Sequence, residues 1–208
     1  MSRSRNTTAE ASKVFQELER RGLLLQSGSE FPSATTIICG APICGSWWSH
    51  PKSGLIYQTL EELAEFAELT TAKLINSKVT IIHSDLWPSL VSIGCAQEKW
   101  QTAKLPPLAK SLYRKAQSGS FRLDEFRSPL KGKPADAIRV LEKRLLVHSQ
   151  EFHTNKGSHS KFVRSWSDWW RSTKRTEPQE LPTVHQAKAA FEAAIEGLNA
   201  KLPWQGID

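Results

Sequence analysis

Two short segments carry the side chains best suited to acid–base chemistry. The segment 45–52 places His50 beside two tryptophans, a proline and a lysine, and His83 and Asp85 follow a β-branched run. A histidine and a carboxylate that line one pocket can pass a proton to and from a substrate. His50, His83 and Asp85 are therefore the weak catalytic candidates, and they would suit a small hydrolase.

Neither segment matches a motif of known mechanism. The chain has no Gly-x-Ser-x-Gly turn, no phosphate-binding glycine loop and no His-Glu-x-x-His. In the alternative interpretation, Trp47, Trp48 and Trp87 seal a core while the two histidines satisfy buried backbone groups. Whether the chain is an enzyme stays open at this point, and no cofactor is expected.

The positive charge of the chain is concentrated in one segment. Residues 99–175 hold 18 Lys and Arg against 6 Asp and Glu, whereas the rest holds 10 against 15. Such a surplus favours a polyanionic partner, and double-stranded DNA is the first candidate. A helix predicted from Pro134 to about Arg144 would place Arg139 and Lys143 on one face, within reach of bases or phosphates.

Other cations lie around that helix in the sequence. Two lysines precede it in a polar loop, one lies at the tip of the following hairpin, and two more cations lie on the hairpin's second strand. The alternative is a solvated basic surface that contacts an acidic protein. The predicted nucleic-acid-binding residues are Lys131, Lys133, Arg139, Lys143, Arg144, Lys156, Lys161 and Arg164.

Aromatic and histidine residues in the same segment have simpler interpretations. Trp166, Trp169 and Trp170 are spaced as one helix face, which favours core packing over stacking on bases. His153 and His159 would be neighbours across the hairpin, but two ligands without a nearby cysteine do not make a zinc site. No metal is expected.

The order of the predicted elements in the basic segment is specific. A helix follows Pro106, a short strand covers 121–123, a brief helix follows Asp124, and the helix from Pro134 precedes a hairpin over 146–166. The stretch from Leu108 to Trp166 thus resembles the winged helix-turn-helix DNA-binding superfamily. The resemblance implies that the helix from Pro134 enters the major groove.

The N-terminal part is predicted to be α/β. We expect a helix over 9–21, strands over 23–25 and 34–39, and a second helix near 59–68. Residues 72–75 either extend that second helix or begin another. A strand over 79–83 and a helix after Pro88 follow. The similarity of 18–24 to 141–146, each a basic helix end followed by apolar residues, suggests a second, degenerate winged-helix unit.

Two such units would be similar to the bacterial tandem winged-helix DNA glycosylases. Those enzymes are built around a Gln-x-Gln or Gln-x-Asp triplet, and this chain contains neither. The resemblance therefore implies an architecture, and it assigns glycosylase activity to no residue here. A glycosylase-like enzyme that uses the loop 47–52 with His83 and Asp85 remains an alternative to a DNA-binding protein acting in repair or regulation.

The sequence thus predicts an α+β protein with four parts. These are a disordered tail over 1–8, an N-terminal α/β region over 9–98, a basic winged helix over 99–175, and a C-terminal helix and tail over 176–208. The last helix, from Thr183 to Lys201, has an apolar side that could dock on the core or on a second subunit to form a homodimer. With no long apolar run and no signal peptide, we expect a cytoplasmic protein that does not enter a membrane and whose three cysteines are reduced and mostly buried.

Overall fold

Two consecutive units of the chain share one order of helices and strands. The computed structural model describes residues 7–153, 159–173 and 180–206. The first unit contains α1 (Ala9–Arg21), β1 (Leu23–Leu25), α2 (Ala34–Cys39), α3 (Ser53–Ala64), β2 (Leu69–Lys73) and β3 (Val79–His83). Its antiparallel sheet has the order β1-β3-β2, in which Leu24 pairs with Ile81 and Thr71 pairs with the same residue from the other side.

Two helices, α4 (Trp87–Cys95) and the short α5 (Lys99–Thr102), join this unit to the next. The second unit contains α6 (Pro107–Ser118), β4 (Phe121–Arg122), a 3-10 turn (Leu123–Glu125), α7 (Pro134–Lys143), β5 (His148–His153) and β6 (His159–Arg164). Its antiparallel sheet has the order β4-β6-β5, so in both units the third strand lies between the first and the second. The α+β class is confirmed.

Local signals explain why several predicted elements form where expected. Thr8 caps α1 by accepting a hydrogen bond from the Ala11 amide at 3.3 Å, and Gly22 ends the helix at φ 79°. Proline begins both α6 and α7, where its missing N–H costs nothing. The helices over 9–21, 107–118 and 134–143 and the strand over 79–83 confirm the predictions.

Three predicted elements were wrong. The run Ala34–Cys39 is a helix and not a strand, because Ser33 accepts from the Thr36 amide at 3.2 Å and Gly40 ends the turn at φ 79°. These two caps outweigh the β-branched composition of the run. The stretch predicted to extend a helix at 72–75 instead contributes Ala72 and Lys73 to β2, where they pair with β3. The helix expected near 59–68 begins earlier, at Ser53.

A central apolar cluster holds the two units together. It includes Leu23 and Ile82 of the first sheet, and Trp166 and Trp169 from α8 (Trp166–Ser172), which follows the second sheet. Trp166 is 2% exposed and donates from its indole nitrogen to the Leu145 carbonyl at 2.9 Å. The prediction that these tryptophans pack in a core is therefore confirmed.

The C-terminal helix completes this cluster instead of facing outward. This helix, α9 (Val184–Ala194), is shorter than predicted, and it buries Ala187 and Phe191 completely against the chain's own core. Of the two sequence-based alternatives for this apolar side, the core and a second subunit, the structure shows docking on the core. None of the helices in the described part of the chain is long and apolar enough to cross a bilayer.

The expectation of buried cysteines was wrong. Cys44 and Cys95 are exposed and Cys39 is half-buried, and all three are free thiols. Cys44 lies in the loop before the 3-10 turn Trp47–Ser49, and Cys95 lies at the last turn of α4. Neither position belongs to one of the apolar clusters that close the two units.

The contact between α4 and Trp166 gives a test of the shared core. A Cβ at Gly94 would lie 2.7 Å from the indole nitrogen of Trp166 and closer still to Cγ and Cδ1. Because that ring is buried, we expect Gly94→Ala to lower the free energy of unfolding by about 1–3 kcal/mol. Urea denaturation would measure the loss.

Gly54→Ala is the matched control, since Gly54 lies in the first turn of α3 with open space around it. This change should leave stability unchanged or raise it slightly, because alanine favours a helix over glycine. Equal effects of the two substitutions would contradict the close packing of α4 against Trp166.

Candidate nucleic-acid interface and the groove beside it

The outward face of α7 carries two of the predicted cations. Ala137, Ile138 and Leu141 are buried in the core of the second unit, so Arg139 and Lys143 point away from it. Both are exposed, and Arg139 pairs with Asp136 at 3.3 Å across one turn. An ion pair between groups this exposed is weak, so Arg139 can exchange Asp136 for another anion at little cost.

The loop before α7 adds two exposed lysines, Lys131 and Lys133. Gly132 between them has φ 122°, and a Cβ there would lie 3.3 Å from the Leu108 side chain at the start of α6. The loop therefore runs against α6, which places both lysines beside that helix as well as beside α7. Across the described ranges, Lys131, Lys133 and Lys143 have no acidic partner within ion-pair distance.

Helix α6 carries further cations that the sequence analysis did not select. Lys110 and Arg114 are exposed and lie four residues apart, on the side of α6 opposite Leu108 and Leu112. The sequence shows these two cations four residues apart on the polar face of a predicted helix. The resemblance to a helix-turn-helix instead indicated the helix over 134–144 as the one that contacts DNA. We call Lys110, Arg114, Lys131, Lys133, Arg139 and Lys143 the cationic surface.

Three other predicted cations make internal contacts instead. Arg144 donates to the backbone carbonyls of Gln101, at 3.2 Å, and of Ala103, which ties α7 to the segment after α5. Lys161 and Arg164 are part of two buried clusters described below. These three side chains support the fold around the cationic surface. Lys156 lies outside the described residues.

A buried carboxylate joins the two units. Glu142 of α7 is 5% exposed, and it pairs with Lys161 of β6 at 2.5 Å and with Lys73 of β2, in the other unit, at 2.7 Å. Ser149 also donates to it at 2.6 Å. Burial by itself would raise the pKa of Glu142, but the charge of Lys161 and the bonds from Lys161, Lys73 and Ser149 outweigh that effect and hold the pKa below its usual value.

A buried histidine makes a second connection between the units. His148 of β5 lies 3.2 Å from the Thr70 hydroxyl of β2, accepts at Nδ1 from Arg164 at 3.4 Å, and stacks on Trp169 with ring centres 5.1 Å apart. Burial, and then the charge of Arg164, lowers the pKa of His148 to about 3. With Nδ1 accepting, the neutral ring carries its proton on Nε2 and donates it to Thr70. This histidine is therefore fixed in place and does not exchange protons at neutral pH.

A groove runs between the units beside these contacts. Its volume is about 830 Å³, and its walls come from β2 and the end of α3 on one side and from α7, β5 and β6 on the other. A smaller cavity of about 280 Å³, lined in part by Thr70, His148 and Arg164, adjoins it, and both share Glu61. The charged residues that line the groove are Glu61, Lys73, Asp124, Arg127, Arg139, Glu142, Glu151 and Lys161. Because positive and negative side chains are equal in number there, the groove as a whole does not attract phosphates in the way that the cationic surface does.

The structure brings two of the three catalytic candidates together, and the third makes contacts of its own. His83, at the end of β3, is buried against Phe15 and lies 3.2 Å from the exposed Asp85 carboxylate. His50 instead accepts from the Lys52 amide at 3.1 Å and contacts the Cys39 thiol at 3.8 Å. The groove, the cavity beside it and a cleft of about 490 Å³ next to Trp47, all formed by described residues, are lined by none of the three candidates.

The described side chains form no cluster of metal ligands. Among the side chains that the structure describes, no group of three or more His, Cys, Asp or Glu is placed to hold an ion. His153 and His159 pair across the hairpin, as the sequence predicted.

Replacing the buried carboxylate should destabilise the protein. Glu142→Gln would leave Lys73 and Lys161, each about one-fifth exposed, without their counter-charge. We expect a loss of about 3–5 kcal/mol in the free energy of unfolding, measured by urea denaturation. Glu151→Gln is the control, because Glu151 is 66% exposed and lies 3.6 Å from the same Lys161, so it should change stability by less than about 1 kcal/mol. Similar losses in both variants would contradict the bridging role of Glu142.

The lowered pKa of His148 predicts a pH dependence. The folded state binds its proton at a pKa of about 3 and the unfolded chain at 6.5, so the stability due to neutral His148 is complete above pH 6.5 and is lost as pH falls toward 3. The slope from this group should approach about 1.4 kcal/mol per pH unit. His148→Gln should flatten the curve of stability against pH between about 6 and 5, whereas His50→Gln should not. An NMR titration that gives His148 a midpoint near 6.5 would refute the burial argument.

Comparison with known proteins gives no family for the chain. No family model matches it, and neither a curated protein nor a solved structure does.

Proposed function

We propose that this chain is a double-stranded DNA-binding protein built from two winged helix-turn-helix units, of which the second contacts the DNA. The proposal is supported by the element order that both units share and by their common strand order, first-third-second. In a winged helix-turn-helix, the third helix enters the major groove and the hairpin contacts the flanking backbone. By position, α7 is that helix, and the hairpin of β5 and β6 is the wing.

The observation that carries the proposal is the cationic surface. Its members come from α6 and, later in the sequence, from the 131–133 loop and α7 that follows it, and the loop runs against α6 in the folded second unit. Most of these cations have no acidic partner within the described part of the chain, so their charge is free to act on a polyanion. A surface that served only to keep the protein in solution would not need its cations grouped around one helix.

The roles within the surface follow from position. Arg139 and Lys143 lie one turn apart on the outward face of α7, where they can reach base edges or phosphates. Lys131 and Lys133 flank the start of that helix, and Lys110 and Arg114 extend the surface onto α6, where phosphate contacts are expected. Because these contacts are largely with the backbone, binding should tolerate changes of DNA sequence.

The proposal predicts a steep dependence of affinity on salt. Fluorescence anisotropy of a labelled 20-base-pair duplex should show affinity falling as salt rises, with a slope near one per phosphate neutralised. The double variant Arg139→Glu, Lys143→Glu should bind about 10-fold or more weakly and lower that slope by about two.

The matched control changes the same net charge elsewhere. Lys13→Glu, Lys201→Glu alters two exposed lysines outside the second unit and should weaken binding much less. Equal weakening in the two double variants would mean that net charge acts without a defined site. Affinity that is unaffected by the α7 reversal would contradict the position given to α7, and an acidic protein would then be the better partner.

A further inference from the structure

The first unit exposes an aromatic surface that the DNA contact described above does not use. Trp48 is 64% exposed, Tyr57 is 41% exposed, and Leu55 between them is 36% exposed. Trp48 lies on Trp47 with ring centres 4.0 Å apart and planes inclined at 24°, and Tyr57 follows with its ring centre at 5.9 Å from that of Trp48. We call Trp47, Trp48 and Tyr57 the aromatic platform. An indole so exposed costs free energy in water unless something covers it.

The platform is held in place by its own loop. The 3-10 turn Trp47–Ser49 is closed by a bond from the His50 amide to the Trp47 carbonyl at 3.1 Å. The Lys52 ammonium donates to the Cys39 carbonyl at the end of α2, at 3.3 Å, and His50 contacts the thiol of the same residue. Trp47 also packs against the core of the first unit. The rings are therefore ordered before any ligand arrives, which reduces the entropy that binding costs.

The charges near the platform favour a nucleic acid as its ligand. Residues 31–60 contain no Asp or Glu and one cation, Lys52, and the next acidic residue along the chain is the exposed Glu61, one turn beyond Tyr57 on α3. Helix α3 begins at Ser53 without a side-chain cap, and the space around Gly54 in its first turn is open. The Ser53 amide donates to the His50 carbonyl at 2.8 Å, so the next two amides of that turn, of Gly54 and Leu55, are the ones that add positive potential beside the rings.

The platform is also within reach of the groove between the units. Tyr57 and Glu61 lie four residues apart and share a face of α3, and Glu61 lines the groove into which Arg139 of α7 also projects. The 12 residues of α3 span about 18 Å, from Ser53 beside the platform to Ala64, which also lines the groove.

From these observations we propose that the aromatic platform binds an unpaired nucleotide of the DNA, whose base stacks on Trp48 while its phosphate lies near the first turn of α3. This inference rests on the proposed DNA-binding function. Flat stacked rings accept any base through its π face, and an adjacent positive potential accepts the phosphate of the same nucleotide. The protein thus prefers DNA in which paired and unpaired segments meet.

The test compares two labelled DNAs by fluorescence anisotropy, a fully paired duplex and the same duplex with a three-nucleotide bulge. The unmodified protein should bind the bulged DNA about 5-fold to 100-fold more tightly, as expected for stacking of one base. Trp48→Ala and Trp48→Leu should abolish that preference, whereas Trp48→Phe should retain most of it. All three variants should bind the paired duplex as before and keep the same melting temperature, because Trp48 is exposed.

The outcomes are distinct. An equal affinity of the unmodified protein for both DNAs, or a preference that survives Trp48→Ala, would overturn the inference. A preference that Trp48→Leu retains would also overturn it, because an apolar docking surface needs no aromatic ring. Lys143→Glu should weaken both DNAs alike. If the paired duplex does not bind but the bulged one does in a Trp48-dependent way, then the proposed duplex contact fails while the platform's role stands.

Discussion

The position of α7 depends on one buried charge. Glu142 lies on the side of α7 that faces the first unit, where Lys73 of β2 and Lys161 of β6 neutralise it. Ion pairs at the surface contribute little to stability, whereas removal of one member of a buried pair leaves a charge without its partner. A position of α7 that separated Glu142 from its lysines would therefore be strongly destabilised. Because the helix cannot turn about its axis without breaking these contacts, Arg139 and Lys143 stay on its outward side.

His148 makes the same connection with hydrogen bonds and ring stacking. It bridges Thr70 of β2 and Arg164 of β6 while Trp169 covers its face. Together the two contacts fix the second sheet against β2, and the central cluster around Trp166 fills the space beside them. The groove between the units is therefore bounded by walls that are tied together at two points, and its shape is a property of the folded chain.

The sequence predicted those elements whose boundaries are marked locally. Gly22 ends α1, proline begins α6 and α7, and β3 is a β-branched run between polar turns. It failed at Ala34–Cys39, where Thr and Ile favour a strand but the caps at Ser33 and Gly40 favour a helix of six residues. A preference of a few tenths of a kcal/mol per residue is outweighed by two caps of about 1 kcal/mol each.

The candidate site was harder to predict than the fold, since charge in the sequence does not state which cations are paired. Lys161 is as basic in the sequence as Lys143, yet its partner Glu142 lies 19 residues away and meets it through the register of the hairpin. Arg144 adjoins Lys143 but is turned by the helix toward the carbonyls after α5. The cations that remain outward are those opposite the apolar stripe of each helix, which is how Lys110 and Arg114 could have been found.

The two faces of α7 carry different charges because one face stabilises the fold and the other is the one proposed to bind DNA. The face toward β2 uses a carboxylate, since two lysines from different strands need one shared counter-charge where water is excluded. The cations of the outward face remain hydrated, so leaving them unpaired costs little free energy. In the proposed complex, phosphates would replace their counterions, which favours binding. If Lys161 faced outward instead, the second unit would expose one more cation, but Glu142 would lose one of its two counter-charges. The groove between α3 and α7 carries equal numbers of positive and negative side chains, so in the proposed complex its net charge would neither attract nor repel the DNA.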